Sequence, residues 1–234
     1  MFEYKLGPHI HHCHLDEGLV ILDIRTQKYL ALPPDYRRAF HLSTNRTSDG
    51  YTESDCQPDG DALKSLLEAK ILVPPGAAGR PAVPANLQAT ASMMDTAFTG
   101  GRPIIRPGDT LIFLRAALMS AYKLKWTNLE HVLDGIKESK SLLSKNRVEF
   151  TTDGARVLFE AFRWHRLWTY SAAGQCLFDS LALTLFLQRK RLPATFVMGV
   201  RSKPFSAHAW VQWKGTVVND NLEHVQRYTP ILAI

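Results

Sequence analysis

The stretch GQCLFDSLALTLFL, residues 174–187, constrains the fold more than any other part of the chain. Leu177, Phe178, Leu181, Ala182, Leu183, Leu185, Phe186 and Leu187 cover far more than one stripe at helical spacing, so the segment is expected to be a helix packed on several sides. Cys176, Ser180, Thr184 and Gln188 recur every four residues and form the one polar track along it. The cysteine stands at the helix start, where unpaired N–H groups and the helix dipole favour an anion, so its thiol should ionise below the ~8.5 of a free cysteine. A buried cysteine is more often a small hydrophobe. His208 in AHAW and Asp220 in VVND argue otherwise, because a thiol, an imidazole and a carboxylate supply a nucleophile, its base and an orienting acid.

Around this helix the chain divides into two expected domains. Residues 2–34 alternate like a small antiparallel sheet with turns at Gly7-Pro8, Asp16-Glu17-Gly18 and Arg25-Thr26-Gln27. Helices are expected over 34–42 and 61–72, the second with Asp59 or Gly60 near its cap and Leu63, Leu66 and Leu67 on its apolar face. Strands then helices suggest a winged-helix-like module over 1–74. Residues 75–108, rich in Pro, Gly and Ala, read as a linker with a short docked segment near 87–98, and 109–234 as the second domain. There, helices are expected over 111–123, 129–143 and 154–168, followed by strands over 194–200, 206–213 and 216–218. The fold class is α+β.

Composition narrows the chemistry. Three cysteines, Cys13, Cys56 and Cys176, are an odd number at unrelated spacings, which speaks against a disulfide framework and for a reducing cytoplasm. The most apolar candidate span, LIFLRAALMSAY, is short and interrupted by Arg115, so no membrane partner is expected. His9, His11, His12, Cys13 and His14 are good ligand types, but in one strand they alternate between two faces and cannot converge, so no metal is expected and an exposed polar strand is. The net charge of +6 suits acidic partners, and Arg156, Arg163, Trp164, His165, Arg166 and Trp168 crowd one helix. Snorkelling cations beside buried rings explain that crowding without nucleic acid.

Strand parity tests the triad. If Lys214-Gly215 is a two-residue hairpin loop, Ala209 lies opposite Asp220 and the carboxylate faces away from His208. A three-residue loop including Thr216, or a bulge near Val218, would bring it within reach; under regular pairing Asn219 or Asn221 is the better orienter.

GQC opening a helix, followed by AHAW and an acid, resembles the transglutaminase-like cysteine protease superfamily, whose domains are papain-like α+β. Within it, CLFDSLAL, AHAWVQWKG, VVND and RYTP are similar to the B proteins of lasso-peptide biosynthesis, which act as leader peptidases. The resemblance implies Cys176 as nucleophile, His208 as base and Asp220 as orienting acid. The Cys176 N–H would serve the oxyanion, with Gln175 or Trp168 as a second donor. The family often has Arg where this chain has Asp179, and a carboxylate one turn from Cys176 would oppose thiol ionisation unless an Arg neutralises it.

GLVILDIRTQKYLAL and the helix at Asp61 resemble the small recognition domain that holds leader peptides of ribosomally made natural products as an added strand. That resemblance implies a leader beside Lys28, Tyr29, Leu30, Ala31 and Leu32, near Leu63, Leu66 and Leu67. The resemblance to the lasso-peptide B proteins further implies an asparagine-synthetase-like cyclase as partner, with ATP used there, since no Walker motif is present in this chain. Acyl transfer to an amine, as in a true transglutaminase, and a non-catalytic leader-binding adaptor remain as alternatives.

Overall fold

The computed structural model describes residues 4–44, 60–96, 105–145 and 149–234. The polar stretch around Cys56, and Asp59 as a cap, lie outside the described residues. The chain forms two compact units, 1–85 and 86–234. The division falls inside the Pro/Gly/Ala-rich stretch, and residues 86–96 belong with the second unit.

The first unit holds β1 (Lys5–Leu6), β2 (Ile10–Leu15), β3 (Gly18–Asp23), β4 (Lys28–Ala31), α1 (Pro34–Ser43), α2 (Gly60–Glu68) and β5 (Leu72–Val73). β2, β3 and β4 make a three-stranded antiparallel sheet in that order, while β1 pairs with β5. The β2–β3 register runs without interruption from Ile10↔Asp23 to Leu15↔Gly18. Leu6, Ile10, Leu19, Ile21, Phe40, Leu66 and Leu72 form the core, with Leu63 and Leu67 packed at its margin.

Two expectations are corrected here. The helix beginning at Gly60 ends at Glu68 instead of reaching Leu72. Lys70 takes φ 55°, and the bonds Lys70 N–H to Leu67 O and Ile71 N–H to Leu66 O close a Schellman turn that frees Leu72 for β5. Nor is β2 an exposed polar strand: His11, His12 and Cys13 are all buried, as is His9 just before it. α1 covers one of its faces, setting Phe40 against His12 and stacking His41 on His14 at a centroid distance of 5.1 Å. On the other face, Arg80 reaches His11 Nε2 at 2.9 Å.

The second unit contains β6 (Ala91–Ser92), α3 (Pro107–Trp126), α4 (Leu129–Lys145), α5 (Thr152–Leu167), α6 (Cys176–Arg189), β7 (Thr195–Arg201), β8 (Ser206–Trp213), β9 (Thr216–Val217), α7 (Leu222–Val225) and β10 (Thr229–Ala233). Its five-stranded sheet has the order β10-β7-β8-β9-β6, antiparallel except where β6 runs parallel to β9. Leu181, Ala182, Leu183, Phe186 and Leu187 of α6 are fully buried, as its all-round apolar pattern requires. They pack among Phe113, Phe159, Phe162, Val211 and Trp213. Cations of α5 are engaged internally: Arg156 donates to Thr96 Oγ1 at 2.6 Å, Arg163 pairs with Glu160, and Arg166 pairs with Asp179. Among the described residues no helix is long and apolar enough to cross a membrane.

Candidate active site

The site arises where the β8–β9 ladder stops. Lys214 and Gly215 both have positive φ, 49° and 79°, and close a two-residue hairpin that pairs Trp213 with Thr216 and Gln212 with Val217. The turn is therefore regular, and the three-residue loop considered from sequence does not form. Val218 N–H still bonds Val211 O at 2.8 Å, but Val211 N–H goes to the side-chain Oδ1 of Asn219, also at 2.8 Å. A side chain has replaced the next backbone carbonyl, so the chain peels away before Asp220 can pair with Ala209. That departure frees the carboxylate from strand parity. It also makes Asn219 a structural residue, whereas Asn221 precedes α7 and donates its N–H to Asp220 Oδ1 at 2.7 Å.

The start of α6 fills the vacated margin of β8. Ser180 Oγ donates to Ala209 O at 2.9 Å, and the Cys176 sulfur accepts the N–H groups of Ala209 and of Leu177. Gly174, at φ 71°, turns the chain into the helix in a conformation that disfavours other residues. His208 lies on the opposite side of the gap with Trp210 stacked beside it at 6.0 Å. Gly199, paired across the sheet with His208, makes room for that ring: a Cβ there would stand 2.7 Å from Trp210 Cη2.

Cys176, His208 and Asp220 are thus brought together. His208 Nε2 bonds Asp220 Oδ2 at 2.5 Å, leaving Nδ1 to the Cys176 sulfur. The hydrogen bond from His208 is the main cause that lowers the Cys176 thiol, against burial and with help from the Ala209 and Leu177 N–H groups. Burial alone would depress His208, but its bonds to Asp220 and Cys176 and their charges outweigh this and raise it to about 9. For Asp220, burial is outweighed by donation from His208, His224 and the Asn221 N–H, so its carboxyl lies below the usual range. Both shifts run in the direction of a thiolate–imidazolium pair.

Asp179 is neutralised where it stands. It is 2% exposed, with Arg166 at 3.1 Å, the Tyr170 hydroxyl donating at 3.1 Å and Asn219 Nδ2 at 3.2 Å. Burial and the neighbouring carboxylate push the Tyr170 phenol well up, so it remains a donor. Arg166 is therefore the cation that a carboxylate at position 179 requires beside Cys176.

A cavity of about 410 Å³ opens over the site, lined by Arg166, Gly174, Cys176, His208, Asp220 and His224 among others. Gln175 is exposed at the helix cap and is not among its lining residues. Trp168 is not brought to the cysteine either. It ends α5 at 79% exposure and borders a separate hollow of about 250 Å³ with Ile105, Phe113, Leu114 and Trp164. Cys176 opens α6, where the first N–H groups of a helix have no intrahelical acceptor.

His224 has no signal in the sequence pattern. Its Nδ1 bonds the same Asp220 Oδ2 at 2.9 Å, and its ring lies 4.7 Å from that of His208. The spacing Asp220–His224 is the i, i+4 interval of a helix, but four residues are too few for periodicity to announce one. His208, Asp220 and His224 present ligand-type atoms within 4.8 Å of one another, but the bonds of His208 to Asp220 and Cys176 already engage its ring. In the first unit, β4 sits at the end of its sheet with β3 on one side, and Leu30 on it is 49% exposed. Leu66 is buried in the core and Leu63 and Leu67 are half-buried.

A family model described as the transglutaminase-like superfamily matches residues 122–233. Among curated proteins, the chain is similar to the microcin J25-processing protein McjB of Escherichia coli, 44% identical over 45 residues that make up 19% of this chain and 22% of that protein. The match spans about a fifth of that relative's length. No solved structure matches. Residues 122–233 of the second unit are thus similar to the transglutaminase-like superfamily, and a 45-residue stretch of the chain is similar to a microcin-processing protein.

Proposed function

We propose that this chain is a cysteine peptidase of lasso-peptide biosynthesis that binds a precursor peptide and removes its leader in a reducing cytoplasm. The observation that carries the reading is the Cys176–His208–Asp220 constellation at the open margin of β8, inside a cavity large enough for a peptide segment. The similarity to a microcin-processing protein directs the choice of substrate.

Cys176 thiolate attacks the scissile carbonyl, and the carbonyl electrons move to an oxyanion facing the Cys176 N–H. The tetrahedral intermediate collapses, the C–N bond breaks, and His208 imidazolium gives its proton to the departing amine. His208, now neutral, takes a proton from water as that water attacks the thioester, releasing the leader's carboxylate and restoring the ion pair. Asp220 holds the imidazole's tautomer and orientation throughout. In the first unit, the leader adds as a strand along β4 at Lys28, Tyr29, Leu30, Ala31 and Leu32, with Leu63, Leu66 and Leu67 behind it. A partner cyclase, which would use the ATP, closes the freed core peptide.

The test is intact-mass spectrometry of the precursor peptide after incubation with wild-type protein and with Cys176→Ala, each with and without an added amine. Cleavage at one bond by wild type alone is the expected result. Amine adducts in place of hydrolysis would make the chain a transglutaminase. Intact precursor in every tube, with the cyclase supplied and the leader bound, would make it an adaptor.

A further inference from the structure

The peeling of Asp220 away from β8 creates a demand that the triad itself does not meet. In a continued ladder, Ala209 and Asp220 would exchange both backbone bonds. Ala209 instead receives Ser180 and donates to Cys176, which leaves the Asp220 carbonyl without its strand partner. A partly buried carbonyl needs another donor. It finds one 128 residues upstream, in Ser92 Oγ at 2.5 Å.

Ser92 belongs to a short segment lying along the far edge of β9. Thr90 N–H bonds Gly215 O at 2.9 Å, Ala91 and Ser92 pair in parallel with Thr216 and Val217, and Met93 N–H bonds Val217 O at 2.8 Å. The Ser92 hydroxyl also accepts Met94 N–H at 2.9 Å, which turns the chain so that Asp95 Oδ2 accepts the N–H of Leu222 at 3.2 Å. Leu222 opens α7, the helix that carries His224 onto Asp220. Met93 is buried in the core of the unit, and Arg156 holds the segment's far end through Thr96. Both sides of residue 220 are therefore fastened by the same few residues, its own carbonyl by Ser92 and the following helix by Asp95.

We propose that residues 90–96 form a strap that sets the position of Asp220, with Ser92 and Asp95 as positioning residues for the catalytic carboxylate. The strap lies outside residues 122–233, the part matched by the transglutaminase-like family. It also falls within the stretch that composition marks as linker. The working catalytic unit thus begins with this segment, well before its first long helix. The proposal rests on the triad assigned above, and its main test needs no peptide substrate.

The experiment uses the full chain as wild type, Ser92→Ala, Asp95→Ala and Asp95→Asn. It measures the rate of Cys176 alkylation by iodoacetamide against pH, by peptide mass spectrometry, with kcat and KM on the precursor peptide and the melting temperature alongside. Ser92→Ala should narrow the pH range over which Cys176 reacts and lower kcat about 3- to 10-fold, the range for one lost hydrogen bond, with KM unchanged. Asp95→Ala, exposed, should shift both in the same direction by less. Asp95→Asn should restore both, because an amide oxygen still accepts the Leu222 N–H. Alkylation profiles for Ser92→Ala and Asp95→Ala that superimpose on wild type would overturn the strap, whether or not the melting temperature moved. Asp95→Asn behaving like Asp95→Ala would overturn the role given to Asp95. If wild type failed to cleave the precursor, the peptidase reading would fall while the alkylation profiles still decided the strap.

Discussion

Each unit has a cysteine beside histidines, and only one of these neighbourhoods is arranged for chemistry. Cys13 sits in the unbroken β2–β3 ladder at 1% exposure, and burial pushes its thiol up to about 12. Cys176 is half-buried where a ladder has ended, and the His208 hydrogen bond lowers its thiol. Around Cys13 the imidazoles are nearest neighbours in sequence, alternate between faces and are taken up by packing against Phe40, His41 and Arg80. Around Cys176 the partners come from 32 and 44 residues downstream by their sequence numbers and converge on one gap. The lowered thiol of Cys176 follows from an interrupted sheet margin and a charge partner, and the local density of ligand-type residues does not produce it.

Removing each thiol in turn breaks the comparison most sharply. Cys176→Ala should lower kcat on the precursor by about 10⁴-fold or more, as loss of a catalytic nucleophile does. Cys13→Ala should leave kcat within about threefold and reduce stability by roughly 1–2 kcal/mol through the small cavity it opens. The pH dependence separates the two thiols further. Cys176 should react with iodoacetamide at lower pH than a free cysteine does, whereas Cys13 should react only on unfolding. Turnover should fall as pH rises through about 9, where His208 loses the proton it must give the leaving amine. Folding raises the proton affinity of His208. Its ionic contribution to stability is therefore full below its ordinary 6.5 and fades as pH passes through about 9. Equal alkylation rates for both cysteines at pH 7 in the folded protein would refute the contrast.

Arg166 offers a finer test, because it decides whether the ground around Cys176 is electrically permissive. Its guanidinium is the cation on Asp179, which is buried one turn into α6. Arg166→Gln would strand that carboxylate with the neutral donors Tyr170 and Asn219 and should cost about 2–4 kcal/mol, somewhat discounted from a fully buried pair because Arg166 is partly exposed. The uncompensated charge should also move Cys176 alkylation to higher pH. Arg166→Gln with Asp179→Asn should recover most of both losses, since the stranded charge is then gone. Denaturant titration and the alkylation profile report the two effects separately. A single variant as stable as wild type would mean that Tyr170 and Asn219 suffice.

Much of this was legible from residue pattern. The all-round apolar run of α6, its polar track and the strand Ser206–Trp213 appear in the structure where periodicity places them. Long helices with one or more apolar stripes announce themselves. What stayed hidden depends on partners remote in sequence. Asn219 substituting for a backbone carbonyl, Ser92 meeting the Asp220 carbonyl and Arg166 facing Asp179 leave no local trace. β6, with two residues, and α7, with four, are too short to carry a period. The β2 histidines misled for a related reason: their polarity suggested solvent, and only the positions of α1 on one face and Arg80 on the other show that they are covered.

The smallest expected effect bears on what the first unit contributes if Cys13 and the imidazoles beside it are inert. The proposed answer is its sheet end, and strand register allows a substitution that addresses backbone donation alone. Leu32 N–H bonds Leu19 O at 2.9 Å, so the hydrogen-bonded pairs on the β3 side are Leu32 with Leu19 and, two residues back, Leu30 with Ile21. The N–H of Ala31 then points away from β3, and proline at an outward position of an end strand is compatible with the sheet. Ala31→Pro should leave the fold and Cys176 alkylation unchanged while weakening leader binding about 3- to 10-fold, the value of one backbone hydrogen bond. Fluorescence anisotropy of a labelled leader measures it, with Leu30→Ala as a side-chain control that keeps the donor. If the leader bound Ala31→Pro as tightly as wild type, it would not be adding as a strand along β4, and the difference between the two units would have to be located elsewhere.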